Sequence, residues 1–229
     1  MKRLVALFPI ALALGAIAIA PGAGAREPIK IKICQTISEP GSYELANNLT
    51  GSSVDCLVIT ANGVTIDLAG FMISGGRRGI VATPSSGQLR GIVVRNGSIS
   101  GFDGAGVDLS SADGSIVEGL RVFNGPALGI VARGIVKGNT VFEVRGGPSA
   151  GTGISATGIV TGNYAAGNRF IGIDIGQGST AIGNTALGNF IGISVACPAN
   201  LTDNTAVNNQ LINLELKGEG CHSEDNLAL

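Results

Sequence analysis

The chain has 229 residues, with 37 glycines, no tryptophan, 45% apolar residues and only 14% charged residues. Glycine is therefore about twice as frequent as in an average protein, but 8 prolines and no Gly-X-Y period exclude collagen. A chain so apolar and so weakly charged is not disordered either. The formal net charge is −1 and lysine and arginine form no run, so the sequence offers no electrostatic basis for a nucleic-acid partner.

The first segment has the pattern of a secretory signal peptide. Lys2 and Arg3 precede an apolar run over residues 4–20, and residues 23–25 (Ala-Gly-Ala) supply the small side chains that a signal peptidase accepts. We expect cleavage after Ala25, which predicts a secreted or periplasmic protein with no membrane span after cleavage. An uncleaved anchor is less favoured, because about 17 apolar residues are at the short limit for crossing a bilayer.

Two short motifs repeat along the rest of the chain with the same variable period. In the first, a small residue precedes an aliphatic residue, and the steps are 27, 23, 24, 19, 20 and 21 residues. Its aliphatic positions are Ile80, Val107, Ile130, Ile154, Ile173, Ile193 and Leu214. The second motif is a small or acidic residue, then Asn, then Thr or Tyr, and its asparagines are Asn139, Asn163, Asn184 and Asn204. Repeats of this length indicate a solenoid, in which each turn packs on the next.

Local alternation indicates that the solenoid is built from strands. Residues 64–68 (Val-Thr-Ile-Asp-Leu) and 173–175 (Ile-Asp-Ile) alternate apolar and polar side chains in pieces too short for helices. Gly, Asn and Ser fill the intervals between such pieces and favour turns. A leucine-rich repeat would need regular Leu spacing and a helical return segment, and the sequence has neither. We therefore expect like residues to stack in interior columns. The expected columns are Val141 over Ala165, Ala186 and Ala206, and Val136 over Val160, Ala181 and Leu201.

These features resemble the right-handed parallel β-helix repeat proteins of bacterial secreted type, within the pectate-lyase-like superfamily. The resemblance rests on residues 64–71 (Val-Thr-Ile-Asp-Leu-Ala-Gly-Phe), residues 94–99 (Val-Arg-Asn-Gly-Ser-Ile) and the Gly-Asn-Thr units, and it covers roughly residues 34–216. It implies an all-β fold, a right-handed parallel β-helix of about seven to nine coils. Such folds carry lyases, hydrolases, adhesins and non-catalytic proteins alike, so the fold alone does not give an activity.

The repeat registers also set the expected domain bounds. After the signal peptide at 1–25, a short N-terminal cap covers 26–52. The β-helix runs over 53–216, and 217–229 forms a C-terminal tail. Because one rung is about 4.8 Å thick, the six steps of the first motif predict a rod about 29 Å long, with one or two further coils toward the N-terminus.

The four cysteines fit the same register, although four cysteines allow three pairings in principle. Cys34 and Cys56 are 22 residues apart and Cys197 and Cys221 are 24 apart, each close to one coil. Equivalent positions on adjacent coils lie within the Cα separation of about 4.4–6.8 Å that a disulfide requires. We predict the disulfides Cys34–Cys56 and Cys197–Cys221, one at each end of the rod. With a single histidine and no Cys-x-x-Cys pattern, we expect no metal site and no cofactor.

The residue after each aliphatic residue of the first motif should point to solvent. These positions are Val81, Asp108, Val131, Ser155, Asp174, Ser194 and Glu215. Asp174 and Glu215 would be two rungs apart, about 9.6 Å, near the upper limit of carboxylate spacing in inverting glycosidases. Asp108, Asp174 and Glu215 are therefore the candidate catalytic residues, although we favour solvated acids on a polar face. The long, Gly-rich interval after Arg145 could also bring Arg145 or Arg169 beside Asp174.

The repeated asparagines have two interpretations, as ligands for a metal or sugar or as an internal ladder. In a ladder, stacked Asn side chains hydrogen-bond to one another and to the backbone. We favour the ladder for Asn139, Asn163, Asn184 and Asn204.

A catalytic mechanism cannot be carried over from the resemblance. Calcium-dependent polysaccharide lyases of this fold use clustered carboxylates with an Arg or Lys base, and pectin-degrading hydrolases carry Asn-x-Asp and Asp-Asp signatures. Neither arrangement is recognisable here. A periplasmic accessory protein resembling the β-helix family associated with copper processing for nitrous oxide reductase is disfavoured by the single His and two Met residues.

We therefore expect an exported β-helix protein that binds or structures extracellular carbohydrate without demonstrable catalysis. Its expected partner is an extracellular polysaccharide bound along the side of the rod, because a solenoid face offers a long, repetitive surface. The alternative is a polysaccharide lyase or glycoside hydrolase that acts on an extended polymer.

Overall fold

A computed structural model describes residues 27–147 and 150–229, which wind into a parallel β-helix of about eight turns. Within those ranges every regular element is a β-strand, so the expected all-β parallel β-helix is confirmed. Equivalent strands of successive turns pair in parallel along the main sheet. The stacked strands form three faces, which we name A, B and C in the order in which each turn visits them. The predicted signal peptide at 1–25 lies outside the described residues.

The strands divide among the faces as follows. Four long strands bend at a corner, Val93–Ser100 and Ser115–Phe123 from face A to B, and Leu128–Lys137 and Thr152–Thr161 from face C to A. The other strands of face A are Ile29–Ile31, Gly41–Leu45, Val64–Asp67, Thr180–Ile182, Asn200–Thr202 and His222–Glu224. Those of face B are Leu49–Gly51, Met72–Gly75, Thr140–Phe142, Tyr164–Ala166, Thr185–Leu187, Thr205–Val207 and Leu227–Ala228. Those of face C are Gln35–Ile37, Leu57–Ile59, Ile80–Ala82, Ala105–Leu109, Ile171–Ile175, Ile191–Ala196 and Ile212–Lys217. Leu89–Arg90 and Ala112–Asp113 form a separate two-stranded sheet.

Parallel pairing extends beyond the 53–216 range expected from the sequence. The first paired strand begins at Ile29 and the last ends at Ala228. Parts of the expected cap and tail therefore add rungs to the β-helix.

Each predicted disulfide joins equivalent corners of successive turns, with Cα atoms 4.5 Å apart in Cys34–Cys56 and 5.0 Å apart in Cys197–Cys221. Both pairings are confirmed.

Aliphatic columns fill the interior. Both predicted columns are confirmed by the strand register, one on face A and the other on face B. The side chains of the face B column become smaller toward the C-terminus. In order, its members are Leu49, Ile73, Ile99, Val122, Val141, Ala165, Ala186 and Ala206. Where alanine replaces the larger side chains, from Val141 to Ala206, the repeat step shortens from 24 to 21 and then 20 residues. A shorter turn encloses less volume, so smaller side chains fill it at normal packing density.

The predicted asparagine ladder is present and continues one turn further, to Asn226. Its members are Asn139, Asn163, Asn184, Asn204 and Asn226. Each Nδ2 donates to the Oδ1 of the next Asn at 2.8–3.0 Å. Each Nδ2 also donates to a backbone carbonyl of the preceding turn at 2.8–3.0 Å. The buried asparagines use their donors and acceptors within the fold, which is the arrangement of an internal structural ladder.

A second asparagine ladder, which the sequence analysis missed, follows the end of face B. Its members are Asn168, Asn189, Asn209 and Asn213, joined by side-chain hydrogen bonds of 2.8–3.0 Å. It explains the glycine of the first repeat motif in the later turns, at Gly153, Gly172 and Gly192. A Cβ atom on Gly172 would lie 2.5 Å from Nδ2 of Asn189, and one on Gly192 would lie 2.5 Å from Nδ2 of Asn209. Glycine is therefore required wherever the ladder passes beneath face C.

Candidate functional sites

The predicted acidic residues lie in one outward row on face C. Consecutive rungs pair Val81 with Asp108, and the row continues through Val131, Ser155, Asp174, Ser194 and Glu215. The register prediction is therefore confirmed: all three acids occupy the same position on the same face. Their catalytic role stays a prediction.

Exposure along this row differs from the expectation that every member points into solvent. Val81 and Ser194 are both fully buried, and Asp174 is half-buried. Ser194 lies one rung from Asp174 on one side and one rung from Glu215 on the other. A short side chain between two longer ones on a flat sheet is covered by them, which period-two alternation alone does not reveal.

The surroundings of Asp174 raise the pKa of its carboxyl group above the ordinary value. Burial raises the pKa of Asp174, and the negative charge of Glu215 adds to the increase, while Lys217 and the hydroxyls of Ser155 and Ser194 oppose it. Glu215 accepts a hydrogen bond of 3.0 Å from the Ser194 hydroxyl and pairs with Nζ of Lys217 at 3.1 Å. The row thus holds two carboxyl groups in different surroundings, one desolvated and one paired with a cation. Lys217 was not among the predicted site residues, because it lies in the neighbouring row.

Asp108 belongs to a different cluster. Its carboxylate accepts a hydrogen bond of 3.0 Å from Nη1 of Arg78 and one of 2.7 Å from the Ser110 hydroxyl. Arg78 and Arg77 both donate two hydrogen bonds to Asp55, at 2.8–3.0 Å. The two guanidinium groups, Arg78 first, hold the pKa of Asp55 well below its usual range. This cluster ties three successive turns together and is separate from Asp174 and Glu215.

Arg145 and Arg169 line a groove of about 620 Å³ at the corner between faces B and C. The groove is lined by Arg145, Gly167, Asn168, Arg169, Gly188, Phe190 and Gln210. The Phe190 ring stacks on Phe170 one turn earlier, with ring centroids 6.2 Å apart and planes inclined by 21°. Arg145 also pairs with Glu143 at 3.1 Å. The charged groups that act on Asp174 are Glu215 and Lys217, and neither arginine is among them.

Turn glycines keep the floor of this groove open. Gly167 and Gly188 have φ angles of 59° and 64°, in the left-handed region that favours glycine. No atom lies within 4 Å of the Cβ that either position would carry in another residue. The absence of these side chains leaves room between Arg145, Arg169 and the phenylalanine stack. Aromatic stacks and guanidinium groups recurring at the coil period could have indicated this groove from the sequence.

Across 27–147 and 150–229, no three or more His, Cys, Asp or Glu side chains are grouped so as to hold a metal ion. The same ranges contain no helix that is long and apolar enough to cross a membrane.

Fold and surface together define a parallel β-helix protein with a polar row on face C and an arginine and aromatic groove at the B–C corner. No protein-family model matches the chain, and no curated protein matches it. Among solved structures, the complex of XylC with xylose is similar in fold, with a TM-score of 0.52 at 11% identity. The match covers 76% of this chain and 36% of that chain. This chain therefore spans about a third of the length of that structure, and the likeness concerns the fold.

Proposed function

We propose that the protein is exported and binds an extended carbohydrate polymer in the groove at the B–C corner. The groove itself carries this proposal, because it combines an aromatic stack with hydrogen-bond donors. Phe190, supported by Phe170, offers an apolar surface for the C–H face of a sugar ring. Arg145, Arg169 and Gln210 offer donors for sugar oxygens around that surface.

The shape of the groove suits a polymer better than a small molecule. Its side chains come from four successive turns, which span roughly 14 Å along the rod at the strand spacing of a β-sheet. A groove lined by several successive turns offers contacts to more than one sugar unit of a chain. The fold's likeness to XylC, whose structure contains xylose, supports the choice of a carbohydrate ligand.

Two features support export. The first 25 residues have the pattern of a signal peptide. The two disulfides join cysteines of the described chain, and such bonds persist in oxidising compartments such as the periplasm or the extracellular medium.

Hydrolysis of a glycosidic bond at Asp174 and Glu215 is a second candidate function. The observation that favours it is that two carboxyl groups of one row lie in different surroundings, since burial raises the pKa of Asp174 while Glu215 pairs with Lys217. The two residues lie two rungs apart in one row, about 9.6 Å, near the upper limit for an acid and base that admit a water molecule.

One experiment tests binding and separates the two candidates. Purified protein is screened against soluble and insoluble polysaccharides, and both retention and release of reducing or unsaturated ends are measured. Phe190→Ala and Arg169→Ala should each weaken binding about tenfold, equivalent to roughly 1.4 kcal/mol. Phe123→Ala is a matched control, because Phe123 forms a similar stack with Phe142, at 5.0 Å, on face B outside the groove.

Equal losses in Phe190→Ala and Phe123→Ala, or no binding to any polysaccharide, would contradict the groove proposal. Release of products that is abolished in a folded Asp174→Asn variant would favour hydrolysis instead.

A further inference from the structure

Face A carries an outward row of aliphatic side chains in four successive turns. The row is Val93, Ile116, Ile135 and Ile159. Ile159 is 46% exposed, and the other three are half-buried. These side chains point away from the interior column of Val94, Val117, Val136 and Val160, which alternates with them along the same strands. An aliphatic row on the outer side of a sheet indicates a surface that contacts another molecule.

A second outward row runs beside the aliphatic row, two residues further along each strand. Its members in the same four turns are Arg95, Glu118, Lys137 and Thr161. The sign of charge alternates along the rod from Arg95 to Lys137. Nζ of Lys137 lies 2.8 Å from the Glu118 carboxylate, and Arg95 pairs at 2.9 Å with Asp67 of the preceding turn.

We propose that two copies of this chain associate through face A about a two-fold axis parallel to its strands, centred between the turns of Glu118 and Lys137. Such an axis reverses the rod direction and keeps the strand direction. The aliphatic row therefore meets the aliphatic row of the second copy, with Ile116 opposite the partner's Ile135 and Val93 opposite the partner's Ile159. A two-fold contact is self-complementary, so every contact occurs twice.

The charged row matches under the same operation. Glu118 lies opposite the partner's Lys137, and Lys137 lies opposite the partner's Glu118, so no like charges meet at the centre. An axis parallel to the rod would instead reverse the strand direction and could match only the row on which it is centred; centred between the rows, it would set the aliphatic row against the charged row. The requirement that the whole aliphatic row and the central charges match together therefore favours the axis parallel to the strands between the turns of Glu118 and Lys137.

This association leaves the proposed carbohydrate groove open. The groove lies at the corner between faces B and C, whereas the dimer contact is on face A. A failure of the dimer proposal would therefore leave the carbohydrate-binding proposal unaffected, and the reverse is also true.

Sedimentation velocity over a concentration series tests the proposal. Wild-type protein should sediment as a dimer that dissociates on dilution. Ile135→Glu places an acid in the aliphatic row of both copies and should weaken association at least tenfold. Leu187→Glu is the matched control, since Leu187 is a half-buried, outward-facing aliphatic residue on face B, and it should leave the dimer intact.

Charge reversal provides a second test that keeps the aliphatic row. Glu118→Lys should favour the monomer, because the introduced ammonium group would face the partner's Lys137. The double variant Glu118→Lys/Lys137→Glu should restore the dimer, because opposite charges meet again. Circular dichroism melts confirm that each variant is folded. A wild-type monomer at every concentration, a dimer unaffected by both Ile135→Glu and Glu118→Lys, or dissociation by Leu187→Glu alone would overturn the proposal.

Discussion

Asp174 shows how the surface of a β-helix can shield a carboxyl group without placing it in the core. The side chain is half-buried, in a row where Ser155 and Ser194 occupy the rungs on either side. Desolvation penalises the charged form of an acid, and the nearby Glu215 adds repulsion. The favourable influence of Lys217 and the two hydroxyls is smaller than these effects, since the pKa is raised overall.

Asp174→Asn should therefore stabilise the protein at neutral pH. A carboxyl group whose pKa is higher in the folded state destabilises that state when the pH exceeds its unfolded pKa, about 3.9, and has no such effect when it is protonated in both states. We expect a higher Tm than wild type at pH 7, with a difference that shrinks as the pH falls toward about 4. Thermal melts across this pH range measure it.

Glu219→Gln is the control for Asp174→Asn, because Glu219 is exposed and its removal should leave the Tm unchanged. A lower Tm for Asp174→Asn at pH 7 would mean that Ser155, Ser194 and Lys217 stabilise the ionised form more than burial opposes it.

At the scale of single residues, the sequence predicted position better than environment. The row containing Asp108, Asp174 and Glu215 followed from period-two alternation and the coil step. The burial of Ser194 did not, because it depends on side chains one rung away rather than on neighbours in sequence. Likewise, the pairing of Asp108 with Arg78 joins residues 30 positions apart.

At the scale of structural elements, the asparagine ladders connect turns that share few other polar interior contacts. Asn184 is fully buried, and it accepts hydrogen bonds of 3.0 Å from both Nδ2 and the backbone N–H of Asn163. It donates to the carbonyl of Val160 at 2.8 Å and to Oδ1 of Asn204 at 2.9 Å. One side chain thus satisfies polar groups in the turns on either side of its own.

Asn184→Ala should destabilise the protein by about 3 kcal/mol or more, because each buried polar group left without a partner costs about 1–3 kcal/mol. For a chain of this size that corresponds to a decrease in Tm of about 6–12 °C. Asn200→Ala is the matched control, since Asn200 is exposed at the start of a strand on face A, and its Tm should change little. Similar Tm values for the two variants would contradict the stabilising role assigned to the ladder.

The first ladder could be predicted because its motif includes a following Thr or Tyr that marks the start of a strand. The second ladder has a weaker signal, with Asn168, Asn189 and Asn209 repeating at steps of 21 and 20 residues without a constant neighbour on the C-terminal side. The link between this ladder and the repeated glycines is seen only in the structure, where Gly172 and Gly192 pack against the amide groups of the ladder.

At the scale of the whole molecule, the repeat registers were sufficient to predict the architecture, the interior columns and the disulfides. The number of turns agrees with the seven to nine expected, but strand pairing extends past the expected bounds of 53–216, because strands at Ile29–Ile31 and His222–Glu224 lack the repeat motifs yet pair with the neighbouring turns. Backbone hydrogen bonds between parallel strands place few demands on side chains, so terminal rungs can form without a recognisable sequence pattern. The groove at the B–C corner was also not predicted, because it depends on side chains from four separate turns.

Each turn of a solenoid contacts only the turns next to it, so the two ends of the rod should be able to unfold separately. Each disulfide closes a loop of 22 or 24 residues at one end, which corresponds to about 3 kcal/mol in the chain-entropy model. In Cys34→Ala/Cys56→Ala, amide hydrogen exchange should accelerate in the first turns and stay slow in the central strands Ser115–Phe123 and Thr140–Phe142. In Cys197→Ala/Cys221→Ala, the acceleration should move to Asn200–Thr202 and His222–Glu224.

Each double variant serves as the control for the other, and non-reducing peptide mapping verifies that the remaining bridge is intact. If either variant exchanges faster throughout the rod, the turns unfold as one cooperative unit and the bridges stabilise the whole molecule rather than its ends.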